Sequence, residues 1–207
     1  MSGQERAYDL STREGWQRRN AEIAARRIPV RYRQATLTCP EVAAWCSEIQ
    51  HHLALGRPTA APSLLLIGPT GSGKTHEAYA ALRQLGEAGV TESWLAISVP
   101  DLYGLLRPRP GADSETAYQA WAGAPLLLLD DLGAAKPSDW TEEVNYRLVN
   151  RRHDHGLPTI FTSNLPTIAA EGSPSLAAAL GERVFSRIAG MCGTPVALKG
   201  EDRRRQP

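Results

Sequence analysis

Eight consecutive residues, Gly68-Pro69-Thr70-Gly71-Ser72-Gly73-Lys74-Thr75, constrain this chain more than any other stretch. They read G-x-x-x-x-G-K-T. The run before them, Ser63-Leu64-Leu65-Leu66-Ile67, is short, apolar and strand-like. The run after them, from Thr75 to Leu85, is rich in helix formers. Strand, glycine loop and helix together make a phosphate cradle. Glycines let backbone N–H groups curl around an anion, and the helix N-terminus adds partial positive charge at the same place. Lys74 would reach the β- and γ-phosphates, and the Thr75 hydroxyl would ligate Mg²⁺. Four fixed positions match by accident in roughly one chain of this length per hundred, so the flanking strand and helix carry much of the inference. The candidate nucleotide-binding set is Gly68, Pro69, Thr70, Gly71, Ser72, Gly73, Lys74 and Thr75, with the adjoining His76.

A second signal lies downstream. Pro125-Leu126-Leu127-Leu128-Leu129 is the most hydrophobic run of the chain, and it ends in Asp130-Asp131. A carboxylate at the C-terminal end of a parallel strand faces the ligand edge of the sheet. Asp130 is expected to hold Mg²⁺ through water, and Asp131 to orient and polarise the attacking water. The competing structural reading is a helix cap or a salt-bridged loop. Thr159-Ile160-Phe161-Thr162-Ser163-Asn164 ends a further strand-like run in an amide. Asn164 there suits contact with a γ-phosphate or the attacking water, and equally suits a turn before Leu165-Pro166.

The remaining segments alternate strands with helices, the pattern of a parallel sheet covered on both faces. Strands are read at 63–67, 93–98, 125–130, 159–164 and 194–199. Helices are read at 1–28, from the capping box Thr38-Cys39-Pro40-Glu41 to about Gly56, from Thr75 to about Gly86, at 100–106, 113–122, 139–155 and 175–189. Helix 1–28 is polar and Arg-rich and has little to bury by itself. A length of 207 residues and a 42% hydrophobic content suit one compact α/β domain with a small appendage.

The net charge is +1, so the chain is no polycation, but the charge is uneven. Residues 1–33 carry eight Arg against four acids, and Lys199, Arg203, Arg204 and Arg205 make the end basic. Basic ends reach nucleic acid or an acidic partner, or are simply solvated. Cys39, Cys46 and Cys192 lack metal-ligand spacing and read as free thiols of a reducing cytoplasm. No apolar run nears the roughly 18 residues of a membrane span, and no signal peptide is evident, so a soluble cytoplasmic protein is expected.

The ordered set of Gly68–Thr75, Leu126–Gly133, Pro158–Leu165 and Gly181-Glu182-Arg183-Val184-Phe185-Ser186-Arg187 resembles the AAA+ ATPases of the DnaC/DnaI helicase-loader and IstB-like family. Ile28–Leu37 resembles the segment before the core in such proteins. The resemblance covers about residues 28–204. It implies a P-loop NTPase three-layer sandwich with a five-stranded parallel sheet. It also implies a division into a basic helical extension at 1–33 and an ATPase core at 34–207.

The resemblance further implies roles. Asn164 is similar to the sensor of the γ-phosphate, on a strand between the phosphate-loop strand and the Asp130 strand. Arg187 matches the arginine finger that enters a neighbouring subunit's site, with Arg183 as second choice. Arg204 is chosen as a second sensor, with Arg203 and Arg205 as alternatives, and Arg31 and Tyr32 border the adenine. The implied cofactors are ATP and Mg²⁺. The implied partners are a replicative DnaB-type helicase, single-stranded DNA and further copies of the chain with shared ATP sites. An IstB-like transposition helper, with a transposase and duplex DNA as partners, is the alternative; a nucleotide-gated adaptor with negligible turnover is another. Asp131 stands where many AAA+ ATPases carry Glu, so slow hydrolysis is expected. The extension is shorter than a loader's usual helicase-binding domain, which points to a phage or plasmid type. Only 17 residues follow Gly190, so a full helical lid is not expected.

Overall fold

A computed structural model describes residues 12–55, 61–89, 94–169 and 174–199. Five strands form one sheet: β1 (Leu64–Ile67), β2 (Trp94–Ser98), β3 (Leu126–Asp130), β4 (Thr159–Ser163) and β5 (Val196–Ala197). Their order is β2-β3-β4-β1-β5, and every pairing is parallel. The strand that ends beside Asn164 therefore lies between the phosphate-loop strand and the Asp130 strand, as the resemblance implied. Parallel strands need crossovers, and the helices that make them cover both faces.

Alternation along the strands divides the core in two. Leu65, Leu127, Leu129 and Phe161 point to one face and pack with α4 (Val99–Leu106), α5 (Ser114–Ala122), α6 (Asp139–Asp154), α7 (Leu176–Leu180) and α8 (Glu182–Cys192). Leu64, Leu66, Leu126, Leu128 and Ile160 point to the other face and pack with α2 (Pro40–Ala54) and α3 (Lys74–Glu87). Burial on both faces explains why β1 and β3 read as unbroken apolar runs. Each fully buried Leu contributes about 1.5–3 kcal/mol relative to exposure.

Three local expectations are corrected. The N-terminal helix, α1 (Arg13–Arg27), has a burial partner: Asn20, Ala24 and Ile28, at a spacing of four, are buried as α1 lies along α3. That stripe is narrow and partly polar, so its burial left little trace in hydropathy. Thr38 does not cap α2; its hydroxyl and N–H both donate to the Glu77 carboxylate of α3. Residues 175–189 are two helices, because Gly181 adopts a φ of 84° that ends α7 before α8 begins. α6 is capped by Ser138, in a reciprocal box with Thr141.

Candidate functional site

The phosphate loop folds as its glycines require. Gly73, at φ 96°, turns the chain directly into α3. Gly68 passes so close to β5 that a Cβ would lie 2.3 Å from the Leu198 carbonyl oxygen. Lys74 is buried, and its Nζ donates to the Gly68 and Pro69 carbonyls at 2.8 Å each. Those carbonyls hold the ammonium at the mouth of α3, where anion binding is favoured. Ser72 is buried within the loop.

The carboxylate pair is held from the neighbouring strand. The Thr75 hydroxyl lies 3.0 Å from Asp130 Oδ1 and 3.2 Å from Oδ2. Thr162, near the C-terminal end of β4, donates its hydroxyl to Asp130 Oδ1 at 2.6 Å and accepts the Asp131 N–H at 3.0 Å. Past the strand end, Leu132 N–H donates to the Thr162 carbonyl at 2.8 Å, and the Ser163 hydroxyl donates to the Leu132 carbonyl at 2.7 Å. Pinned on both sides, Asp131 takes a φ of 56°, the one non-glycine residue in the left-handed region among the described residues. Such a conformation is stored at sites where surrounding contacts over-determine it. Asn164 Nδ2 lies 3.4 Å from Asp131 Oδ1. Burial raises the Asp130 carboxyl above its ordinary range; the Thr162 hydrogen bond opposes this, and the neighbouring Asp131 charge adds to it.

A cavity of about 310 Å³ runs across these groups. Its wall is made by Lys74, Thr75, Asp130, Asp131 and Asn164, by Thr70, Gly71 and Gly73 of the loop, and by Arg31, Tyr32 and His76. The structure thus brings together the loop, both aspartates, Asn164 and the two residues assigned to the adenine. Arg187 stands outside that wall. It lies on α8, with Nη1 donating to the Arg183 carbonyl at 3.3 Å and its guanidinium 5.3 Å above the Tyr146 ring. Arg183 is exposed on the same helix. Arg203, Arg204 and Arg205 lie outside the described residues.

The donor set fits a metal–nucleotide ligand. A hydroxyl and a half-buried carboxylate converge, an ammonium sits one residue away, and the glycine cradle has no room for a side chain at Gly68. Thr75 and Asp130 would hold Mg²⁺, and Lys74 with the loop would hold the phosphates. Sequence reasoning missed Thr162, which organises both aspartates. Thr162 is a polar residue in a strand that is buried throughout, but its partner follows only from the strand order. Trp140 packs edge-on against Tyr103 at 5.7 Å, with Arg107 stacked over it at 5.2 Å. No helix among the described residues is long and apolar enough to cross a membrane.

Comparison with known proteins agrees with this geometry. The structure resembles that of the DnaC helicase loader, with 27% identity and a TM-score of 0.68 over 83% of this chain and 100% of that one. It resembles DnaI, with 23% identity and a TM-score of 0.59 over 90% and 93% of the two chains. It also shares its fold with AMPPCP-bound DnaA from Aquifex aeolicus, at 18% identity and a TM-score of 0.62, covering 86% of this chain and 53% of that one. No curated protein sequence matches. The sequence profile of the IstB-like ATP binding proteins matches residues 51–206, three quarters of the chain and the whole of its sheet. The chain belongs to the IstB-like ATP-binding protein family and has the AAA+ P-loop fold.

Proposed function

We propose that this protein is an ATP-hydrolysing AAA+ protein of DNA replication that loads a DnaB-type helicase onto single-stranded DNA. The observation that carries this reading is the likeness to the DnaC helicase loader along that chain's whole length. The site supports the chemistry. Lys74 and the loop N–H groups hold the triphosphate. Thr75 and Asp130 hold Mg²⁺, which when bound neutralises charge on the phosphate oxygens. Asp131 accepts a hydrogen bond from the attacking water and aims it in line, and Asn164 orders that water and the γ-phosphate. Arg31 and Tyr32 border the base. Little covalent chemistry falls to the protein, so positioned charge suffices.

Arg187 acts in trans. Held near Tyr146 on α8, it would enter the site of a neighbouring copy and tie hydrolysis to assembly. Arg204 reads the nucleotide as a second sensor. Residues 1–33 form the basic extension that meets the helicase, and 34–207 form the ATPase core. The setting is the cytoplasm.

Capture of a DnaB-type helicase from the host tests the reading. Capture with ATP that is lost with ADP supports a loader. Intact ATPase activity without capture in either state favours the second reading, a transposition helper, for which the family match speaks. Mixing Arg187→Ala with Lys74→Ala subunits restores activity if Arg187 is shared between subunits; no recovery at any ratio removes it from the site.

A further inference from the structure

Resting on the ATP-binding reading above, we propose that Glu77 is a positioning residue for the part of the cavity wall that Arg31 and Tyr32 form. It clamps segment 28–39 onto α3, so that Tyr32 forms the base wall.

That wall is weak by itself. Arg31 and Tyr32 ride on a single 3₁₀ turn, Val30–Tyr32, whose own bonds are Tyr32 N–H to the Pro29 carbonyl at 2.8 Å, a long Arg33 N–H to the Val30 carbonyl at 3.4 Å and Ala35 N–H to the Tyr32 carbonyl at 3.0 Å. One turn of that kind does not hold its place without tertiary support. The support comes from α3. The Tyr79 ring stacks on Tyr32 with centroids 5.0 Å apart and planes 13° from parallel. Arg83 Nη1 donates to the Ala35 carbonyl at 3.2 Å, and His76 Nε2 lies 3.2 Å from the Thr36 carbonyl. The His76 contact is solvent-exposed, where hydrogen bonds contribute little.

Glu77 differs from these. It is 2% exposed, in the first turn of α3, beside the buried Ala78, Ala81 and Leu82 that form the helix's core face. An apolar residue would fit that face. A buried carboxylate there is costly unless its oxygens are satisfied. They are satisfied from segment 28–39: the Thr38 N–H donates to both oxygens at 3.1 and 3.2 Å, the Cys39 N–H donates at 3.3 Å, and the Thr38 hydroxyl adds a third donor. Charge-assisted bonds of this kind are about twice as strong as neutral ones. Glu77 also lies one turn from Lys74 on the same helix. One rigid element therefore carries both the phosphate grip and the anchor of the base wall.

A purely structural tie would weaken every ligand alike; a positioning residue weakens only ligands with a base. Binding of ATP and of inorganic tripolyphosphate, each with Mg²⁺, is measured on the full chain and on Glu77→Gln, Tyr32→Ala and the double variant. Glu77→Gln is expected to weaken ATP about tenfold and to leave tripolyphosphate within about twofold. In the Tyr32→Ala background the same change is expected to add no more than about twofold, because the two act through one wall. An unchanged ATP affinity, equal loss for both ligands, or full additivity overturns the proposal. If Glu77→Gln does not fold, Thr38→Val keeps both backbone donors and removes the hydroxyl. It is expected to cost ATP about threefold and spare tripolyphosphate, and equal effects on the two overturn the proposal. A wild-type chain that binds tripolyphosphate no more weakly than ATP has no base wall, which also overturns it. A wild-type chain that binds neither ligand overturns the ATP-binding reading itself.

Discussion

Two buried cations sit at opposite ends of the same sheet, and they are held in different ways. Lys74, at the C-terminal ends of the strands, donates to two carbonyls of its own glycine loop and faces a cavity of about 310 Å³. Arg152, near the N-terminal ends, is fully buried. Its Nε donates to the Thr159 hydroxyl at 2.7 Å, Nη1 to the Ala122 and Ala124 carbonyls at 3.2 and 2.8 Å, and Nη2 to the Pro158 carbonyl at 2.8 Å. Its planar fork is filled by fixed acceptors that knit α5, β3, α6 and β4 together. Burial pulls the guanidinium down to about 9, which still leaves it charged at neutral pH. A cation whose donors are consumed by acceptors at the ends of three other elements is a structural staple. One that rests on carbonyls of a single loop, beside two carboxylates and open space, is placed for a ligand.

Removing each cation should break a different property. Arg152→Met leaves three carbonyls and a hydroxyl without their donor, and is expected to cost about 3–5 kcal/mol of stability, read in denaturant unfolding. Lys74→Ala should keep the fold and lose ATP affinity by about 100-fold, read by calorimetric titration. Were Lys74→Ala to unfold the chain as badly as Arg152→Met, the two cations would be of one kind. Asn164→Ala sharpens the contrast within the site. Its 3.4 Å approach to Asp131 is long, so turnover should fall about tenfold with ATP affinity nearly unchanged, read from the steady-state rate against a binding titration.

The same comparison shows what the sequence could and could not disclose. That Lys74, Thr75, Asp130, Asp131 and Asn164 gather around one cavity was legible because each is tied to a local pattern, a glycine spacing or the end of an apolar run. The five parallel strands were legible because their crossovers leave long alternating segments. Arg152 was not. Arg151-Arg152-His153 reads as the basic last turn of a surface helix, favourable to its dipole. Yet Arg152 continues the buried stripe of Thr141, Val144, Asn145, Leu148 and Val149 at helical spacing, and that stripe was the available signal. Glu77 was hidden in the same way, on the buried face of α3. Its partner Thr38 read as a helix cap because a cap and a tertiary anchor use the same residue types. Thr162 looked like an ordinary β-branched strand residue, and only the strand order places it against Asp130. Thr38 was read with a local partner, the helix it precedes, and Glu77, 39 residues away in sequence, took it instead.

The central claim is that the site hydrolyses ATP with Asp131 aimed at the attacking water. Its most direct test is ATP affinity and Mg²⁺-dependent phosphate release, measured together on the wild-type chain and on Asp131→Asn. The account predicts that Asp131→Asn binds ATP within a few-fold of wild type, roughly, and releases phosphate about 100-fold more slowly or not at all. Phosphate release by Asp131→Asn at the wild-type rate, or loss of ATP binding in that variant, would contradict it.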